Sequence, residues 1–328
     1  MKYTKLGKTG IDVSKLTLGM MSYGNPALEK WYLDINEARP LIKKALDLGI
    51  NLFDTANVYS KGRSEEITGE VLKDYRDEVV IATKVYFNMA GYEKEGLNKQ
   101  GLSRYNISNA INESLKRLQM DHVDLYQIHR LDKFVPADEI MRSLNQVIDS
   151  GKALHIGASS MFAWQFAKLQ YTAEKLGFEQ FKTMQNHYNL VYREEEREMF
   201  PLCKDLGVAT IPWSPLARGF LSGKYKRGEE PSGARVESDS LVKTRFFKEE
   251  DFDVVERVVE IAKEKDVKPT QIALAWLFTK DYVTSPIIGS TKPEHLDQAV
   301  ESLDIKLSND DIKRLEETYT PHTIIGHS

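Results

Sequence analysis

Asp54, Tyr59, Lys84 and His129 are four residues whose types together suit proton transfer to an oxygen atom. A tyrosine ordinarily titrates near about 10, too high for an efficient proton donor at neutral pH. An adjacent ammonium favours the phenolate and brings the phenol toward its working range. An aspartate paired with that ammonium holds it in place and keeps it charged. An imidazole N–H beside them polarises a carbonyl oxygen. The set suits protonation of an alkoxide as it forms, an effect of roughly 10²–10⁴-fold for a placed acid. It contains no nucleophile next to a base, so acyl transfer fits poorly. A hydride would have to come from a cofactor, since side chains do not supply one. Singly, each residue has a plainer role: Asp54 as a turn cap, Tyr59 as a surface aromatic, Lys84 reaching out of a strand end, His129 as a satisfied core histidine.

The elements that carry them decide between these readings. β-rich runs recur eight times, at residues 15–19, 50–54, 79–85, 123–129, 154–159, 183–188, 208–213 and 285–289. Most are apolar without strict alternation, as strands buried on both faces of a parallel sheet are. Helical spacing fills the gaps, for example Leu41, Ile42, Ala45 and Leu48 within 36–48, and Ile107, Ile111, Leu115 and Leu118 within 106–120. Gly49 and Gly207 follow two helices as left-handed caps. Ser64, before Glu65 and Glu66, reads as an N-cap with acids in the first turn.

Strand and helix alternating eight times predict an α/β fold, a (β/α)8 barrel, preceded by a hairpin around Lys8, Thr9 and Gly10 and followed by a C-terminal tail. One domain over 1–328 is expected. Long connections at 86–105, at 214–248 and after 318 belong at the C-terminal mouth, where barrels build their sites. Asp54, Lys84 and His129 end the second, third and fourth runs, and Tyr59 lies on the loop above Asp54. All four therefore face one mouth. A lysine within VVIATKV is costly unless paired, and Asp54 on the neighbouring strand is the available partner.

Composition narrows the class. The 328 residues are 41% hydrophobic and 29% charged, with a net charge of -4. Nothing in that balance calls for a nucleic-acid partner. Cys203 is the only cysteine, so an internal disulfide is impossible and a reducing compartment is natural. The N-terminal MKYTKLGKTG lacks a signal-peptide core, and no apolar run is long enough to span a membrane. A cytoplasmic location is expected.

The stretches NLFDTANVYSKGRSEEITGE, VVIATKV, VDLYQIHR, IGASS, MQNHYNL, IPWSPLARGFLSGKY and PIIGSTKPEHLDQA together resemble the aldo-keto reductase superfamily. Within it, YREEERE and the ending TYTPHTIIGHS look most like a bacterial branch of versiconal hemiacetal acetate reductase-like oxidoreductases. The resemblance places Asp54, Tyr59, Lys84 and His129 on the family's catalytic tetrad. It implies NADP(H), with NAD(H) as the alternative, lying across the mouth without the GxGxxG loop of a doubly wound fold, which this chain lacks.

Carried over residue by residue, Ser159 and Gln185 hold the nicotinamide carboxamide. Ser160 stands where the family usually has asparagine, and Trp213 takes the place of the aromatic that stacks on the nicotinamide. Gly19, Met20 and Asp54 line the nicotinamide side. Ser214, Leu216, Arg218, Gly219 and Lys224 approach the pyrophosphate and adenosine. Gly289, Ser290, Thr291, Lys292, His295 and Gln298 meet the adenosine 2′-phosphate at a helix start. Many relatives have an arginine there. Tyr23, Trp31, Tyr86, Phe87 and Arg130 are the expected substrate residues, Arg130 touching an anionic group or pairing with Asp132. The partner is then a small carbonyl compound. Two other classes compete: a cofactor-binding regulatory subunit without turnover, and a metal-dependent barrel hydrolase, which His-x-His spacing would favour and this sequence lacks.

Overall fold

The computed structural model describes residues 1–89, 97–229 and 248–327. Parts of two long connections, 86–105 and 214–248, lie outside the described residues. Strands β1 (Tyr3–Lys5) and β2 (Asp12–Ser14) form an antiparallel hairpin. Then follow β3 (Thr17–Gly19), α1 (Ile35–Asp47), β4 (Leu52–Asp54), α2 (Arg63–Leu72), β5 (Val80–Val85), α3 (Arg104–Leu118), β6 (Val123–Ile128), α4 (Ala137–Asp149), β7 (Ala153–Ser159) and α5 (Ala163–Leu176). The chain continues through β8 (Thr183–Gln185), α6 (Met199–Leu206), β9 (Ala209–Thr210), α7 (Asp251–Glu264), α8 (Pro269–Phe278), β10 (Ile287–Ile288), α9 (Pro293–Glu301) and α10 (Asn309–Glu316).

Strands β3 to β10 make one eight-stranded sheet in the order β10-β3-β4-β5-β6-β7-β8-β9, every neighbouring pair parallel. The bridge between Trp213 and Ile287, with the Ile287 N–H donating to the Pro212 carbonyl at 2.8 Å, joins the two end strands. The result is the (β/α)8 barrel expected from the eight runs, each observed strand lying within its run except β7, which begins one residue earlier at Ala153. Strands covered on both faces need no polar alternation, and β4, β5 and β6 are buried at every position.

The apolar stripes of the helices cover the outside of the sheet. Asp34 caps α1 by accepting from Asn36 and Glu37 N–H groups, and Leu41 and Ile42 bury against the strands, about 1.5–3 kcal/mol for each side chain. The opposite end of the barrel is plugged by the hairpin: Leu6 and Val13 pack with Leu52, Val80, Ala82, Leu125, Ala209 and Ile211. Among the described residues no helix is long and apolar enough to cross a membrane.

Ser64 corrects one expectation. It is not an N-cap; the cap lies two residues earlier at Gly62, whose φ of 90° is a left-handed entry, and α2 starts at Arg63. Ser64 is fully buried, its hydroxyl bonded to the Met20 carbonyl and the Thr55 hydroxyl, 2.8 Å each. A serine ahead of two acids mimics a cap, but here it ties the start of α2 to the loop after β3. Gly207 is the left-handed cap of α6 as expected, and Gly49 is left-handed just after α1.

Candidate active site

The strand ends bring the four residues together. Asp54 is the last residue of β4, Lys84 stands next to the end of β5, and His129 follows β6 directly. Lys84 is fully buried, and its ammonium donates to Asp54 Oδ2 at 2.5 Å, to the Thr55 carbonyl at 2.8 Å and to the Tyr59 hydroxyl at 3.2 Å. Burial by itself would drive the lysine toward neutrality. The charge of Asp54, with Tyr59 behind it, outweighs this and holds the Lys84 pKa above its ordinary value. The ammonium therefore stays charged although it is fully buried.

Tyr59 is placed by a turn of an unusual kind. Ser60, Lys61 and Gly62 have φ of 48°, 53° and 90°, three left-handed residues in succession. Left-handed backbone is strained for serine and lysine, so neighbours must hold it. Ser60 Oγ accepts the Asn25 N–H at 2.8 Å, and Gly24 comes so close to Ser60 that a Cβ there would lie 2.4 Å from it. Asn57 adds a bond to the Phe87 carbonyl at 3.1 Å.

His129 is almost fully buried and lies edge-on to both Tyr59 and Phe87, ring centres 5.9 and 4.9 Å away. Burial, reinforced by the positive charges of Lys84 and Arg130, holds its pKa well below the ordinary 6.5. The imidazole is therefore neutral at physiological pH. Its Nδ1 is buried with no hydrogen-bond partner among the described residues, which leaves Nε2 to serve a carbonyl oxygen. An ammonium-backed phenol and a neutral imidazole at one mouth can protonate and polarise the same oxygen.

The remaining expected residues fall around this centre. Ser159 and Gln185 are register partners, and Ser159 Oγ donates to the Gln185 carbonyl at 2.8 Å. Gln185 Nε2 donates to Asp54 Oδ1 at 2.9 Å. Ser160, at φ 35°, accepts from Trp213 Nε1 at 3.1 Å. Trp213 stacks on His187, ring centres 4.1 Å apart and nearly parallel, and His187 stacks in turn on Tyr192. One face of the indole is thus covered from within. Gly19 ends the first barrel strand, where a Cβ would run into Ile287, and Met20 follows it, its carbonyl accepting from the Ser64 hydroxyl.

After β9 the chain turns through left-handed residues at Ser214, Ala217, Arg218 and Gly219. Leu216 is half-buried within that turn. Lys224 approaches Gly219, and together with Lys292 it is close enough to add to the lowering of the His295 pKa, whose main cause is burial. Lys292 precedes α9 without a side-chain cap on the helix start. Two ammonium groups beside uncapped N–H groups suit a phosphate. Ser290 donates to the Lys292 carbonyl, Thr291 is exposed and Gly289 leads out of β10. Gln298 lies apart, its side chain and carbonyl bonded to Thr270 and Gln271 of α8.

Of the expected substrate residues, Tyr86 and Phe87 meet edge to face at 5.1 Å beside His129. Arg130 lies over Phe87 and donates to the His129 carbonyl at 2.5 Å. Asp132 spends its carboxylate on the Leu102 and Phe134 N–H groups. Trp31 packs on Tyr32. Tyr23 is fully buried in the core, with no partner for its hydroxyl among the described residues.

Two features escaped the sequence reading. Gln127, buried on β6, donates to Asp54 Oδ1 at 2.9 Å. It stands two residues before His129 and so on the same strand face, a signal that period-2 counting could have caught. The second is the set of partners of the tail, which lies at the mouth as expected. Gly326 sits where a Cβ would be 3.6 Å from Trp213 and 3.7 Å from both Arg130 and Ser160. His327 bonds Glu195 at 3.2 Å, Ile325 N–H donates to the Tyr192 hydroxyl, and His322 is bonded to Asp251 through its ring and Glu194 through its backbone N–H. Among the described residues no group of three or more His, Cys, Asp or Glu could hold a metal ion.

Comparison with known proteins agrees with this geometry. The model of the Aldo/keto reductase family matches residues 15–320. The chain is 44% identical to versiconal hemiacetal acetate reductase of Aspergillus parasiticus over 99% of its own length and 98% of that protein's. It is 41% identical to an aldo-keto reductase of Metarhizium robertsii, with 99% and 93% covered, and 37% identical to one of Alternaria alternata, with 99% and 94% covered. All three relatives come from fungi, where the sequence had suggested a bacterial branch.

Proposed function

Given that the chain belongs to the aldo/keto reductase family and is an oxidoreductase, we propose that it reduces an aldehyde or ketone to an alcohol with NADP(H), Tyr59 supplying the proton. The observation that carries this reading is the Lys84 ammonium held between Asp54 and the Tyr59 hydroxyl. When bound, the nicotinamide supplies the hydride. Trp213, Ser159, Ser160 and Gln185 are the residues suited to its ring and carboxamide. Lys224, Lys292 and the start of α9 suit the phosphates, which favours NADP(H) over NAD(H). The fit is supported by the uncapped start of α9 and by the two lysine charges, Lys224 and Lys292, that act on His295 there.

The protein's own groups act on the oxygen. His129 Nε2 and the Tyr59 hydroxyl hold the carbonyl oxygen between them, and Tyr59 gives up its proton as charge develops there. Lys84 stabilises the phenolate left behind, and Asp54 keeps Lys84 in place. Tyr86 and Phe87 favour apolar or aromatic carbonyl compounds, and the naming of one relative for a hemiacetal ester adds that class to the candidates.

The test follows loss of NADPH absorbance with aromatic aldehydes, aliphatic aldehydes, ketones and a hemiacetal ester. Tyr59→Phe is expected to lower kcat by about 10²-fold or more while cofactor affinity, read by quenching of tryptophan fluorescence, stays nearly unchanged. Wild-type rates in Tyr59→Phe would remove Tyr59 as the donor. Cofactor binding without turnover on every class would replace the enzyme reading by a regulatory one.

A further inference from the structure

We propose that Gln127 is a positioning residue of the tetrad, holding the Asp54 carboxylate so that it engages Lys84; this rests on the reductase reading and deepens it. The two oxygens of Asp54 divide their work. Oδ2 takes the Lys84 ammonium at 2.5 Å, and Oδ1 takes two amide donors, Gln127 and Gln185, at 2.9 Å each. A carboxylate only accepts, so both amides must turn Nε2 toward it. The orientation of Gln127 then leaves its Oε1 to accept from Gln185 Nε2 at 3.3 Å. Asp54, Gln127 and Gln185 form a closed triangle beneath the Tyr59 and Lys84 pair.

The barrel makes room for this amide. Gln127 is the register partner of Lys84 on one side and of Gly157 on the other. A Cβ at Gly157 would lie 3.0 Å from Gln127 Cγ and 2.2 Å from Thr183 Oγ1. Only glycine leaves that volume open. An amide serves here where an apolar side chain would fill the space equally well, and its chemical effect is specific. A buried ion pair can lose its charge by moving the proton from ammonium to carboxylate. Donors on Oδ1 favour the carboxylate, so the pair stays charged and the ammonium keeps its effect on the Tyr59 hydroxyl. Gln185 cannot hold Oδ1 alone with the same constraint, because its own amide is oriented by Gln127.

The experiment uses two variants of the full chain. Gln127→Met keeps the volume and removes the donor; kcat is expected to fall about tenfold or more at every pH, with cofactor Kd within about twofold of wild type. In Gln127→Glu the new carboxyl can donate to Asp54 only when protonated, so kcat should recover as pH is lowered, a recovery the methionine variant does not show. Mere filling of space would move neither the split between kcat and Kd nor the pH profile. Wild-type kcat in Gln127→Met, or a Gln127→Glu profile that parallels the wild type, overturns the assignment. A crystal structure of Gln127→Met reads the same point without turnover: the Asp54 carboxylate is expected to turn away from Lys84 or to take a water at Oδ1, and an unmoved carboxylate with nothing in place of the amide overturns it. A wild type that turns over no carbonyl compound would sink the reductase reading instead, and the crystal structure would still decide the role of Gln127.

Discussion

At the scale of single residues, the site depends on one lysine kept charged where no water reaches it. Removing that charge leaves Asp54 buried opposite two amides and no cation. Lys84→Met is therefore expected to abolish most turnover and also to cost about 3–5 kcal/mol of stability, as breaking a buried ion pair does. Chemical denaturation of the variant beside the wild type checks the second effect separately from the first. The tetrad was legible in the sequence because its members titrate, and a lysine inside VVIATKV or an aspartate at the end of NLFD stands out against an apolar strand. Gln127 was not read as part of the site because an uncharged amide carries no such contrast. Its meaning appears only when Asp54 is found 2.9 Å away on a strand it does not touch in the ladder.

At the scale of elements, the strands were the easiest part to read and the turns between them the hardest. Eight apolar runs without alternation can be satisfied by a parallel sheet covered on both sides, and the eight strands fall on them, β7 alone starting one residue early. The turn that delivers Tyr59 is different, because nothing about Ser60 or Lys61 announces left-handed backbone. Only Gly62 has a residue type suited to it, and Ser64 then drew the cap assignment two positions too late. This turn is also where function and stability separate. Gly62→Ala forces a Cβ at φ 90° to within 2.7 Å of Arg117 Cδ. The expected loss is about 1–2 kcal/mol in thermal or chemical unfolding. Because the strain falls three residues from the phenol, kcat should drop severalfold while Asp54 and Lys84 remain paired. A variant that loses stability and keeps full kcat would show that Tyr59 is held by its neighbours in β4 instead.

At the scale of the whole molecule, charge linkage predicts how the fold responds to acid. His129, His155 and His295 all have pKa values lowered from 6.5, in each case chiefly by burial. A histidine depressed in the folded state takes up its proton more readily when unfolded. The unfolded chain therefore binds more protons below about 6.5, and stability should fall as pH drops through that value. Scanning calorimetry from about pH 7 to about pH 5 is expected to show a declining Tm, with a shallower decline in His129→Asn. A Tm that rises over that interval, or a slope unchanged by the substitution, would contradict the account. This behaviour was not readable from the sequence, since burial of a histidine is decided by the packing of distant segments. The tail was expected at the mouth from its length, but its partners were hidden for the same reason: Glu194, Glu195 and Asp251 lie 71 to 132 positions away along the chain.

That tail makes the two termini unequal as places to attach anything. The N-terminal hairpin closes the end of the barrel remote from the chemistry, so an affinity handle ahead of Met1 adds length where no ligand passes. A handle placed after Ser328 follows closely on Gly326, which neighbours Trp213, Arg130 and Ser160, and it would tug on the His327 and Glu195 contact. Kinetic constants measured on C-terminally and N-terminally tagged preparations should then disagree. The C-terminal form would report a perturbed entrance instead of the native one.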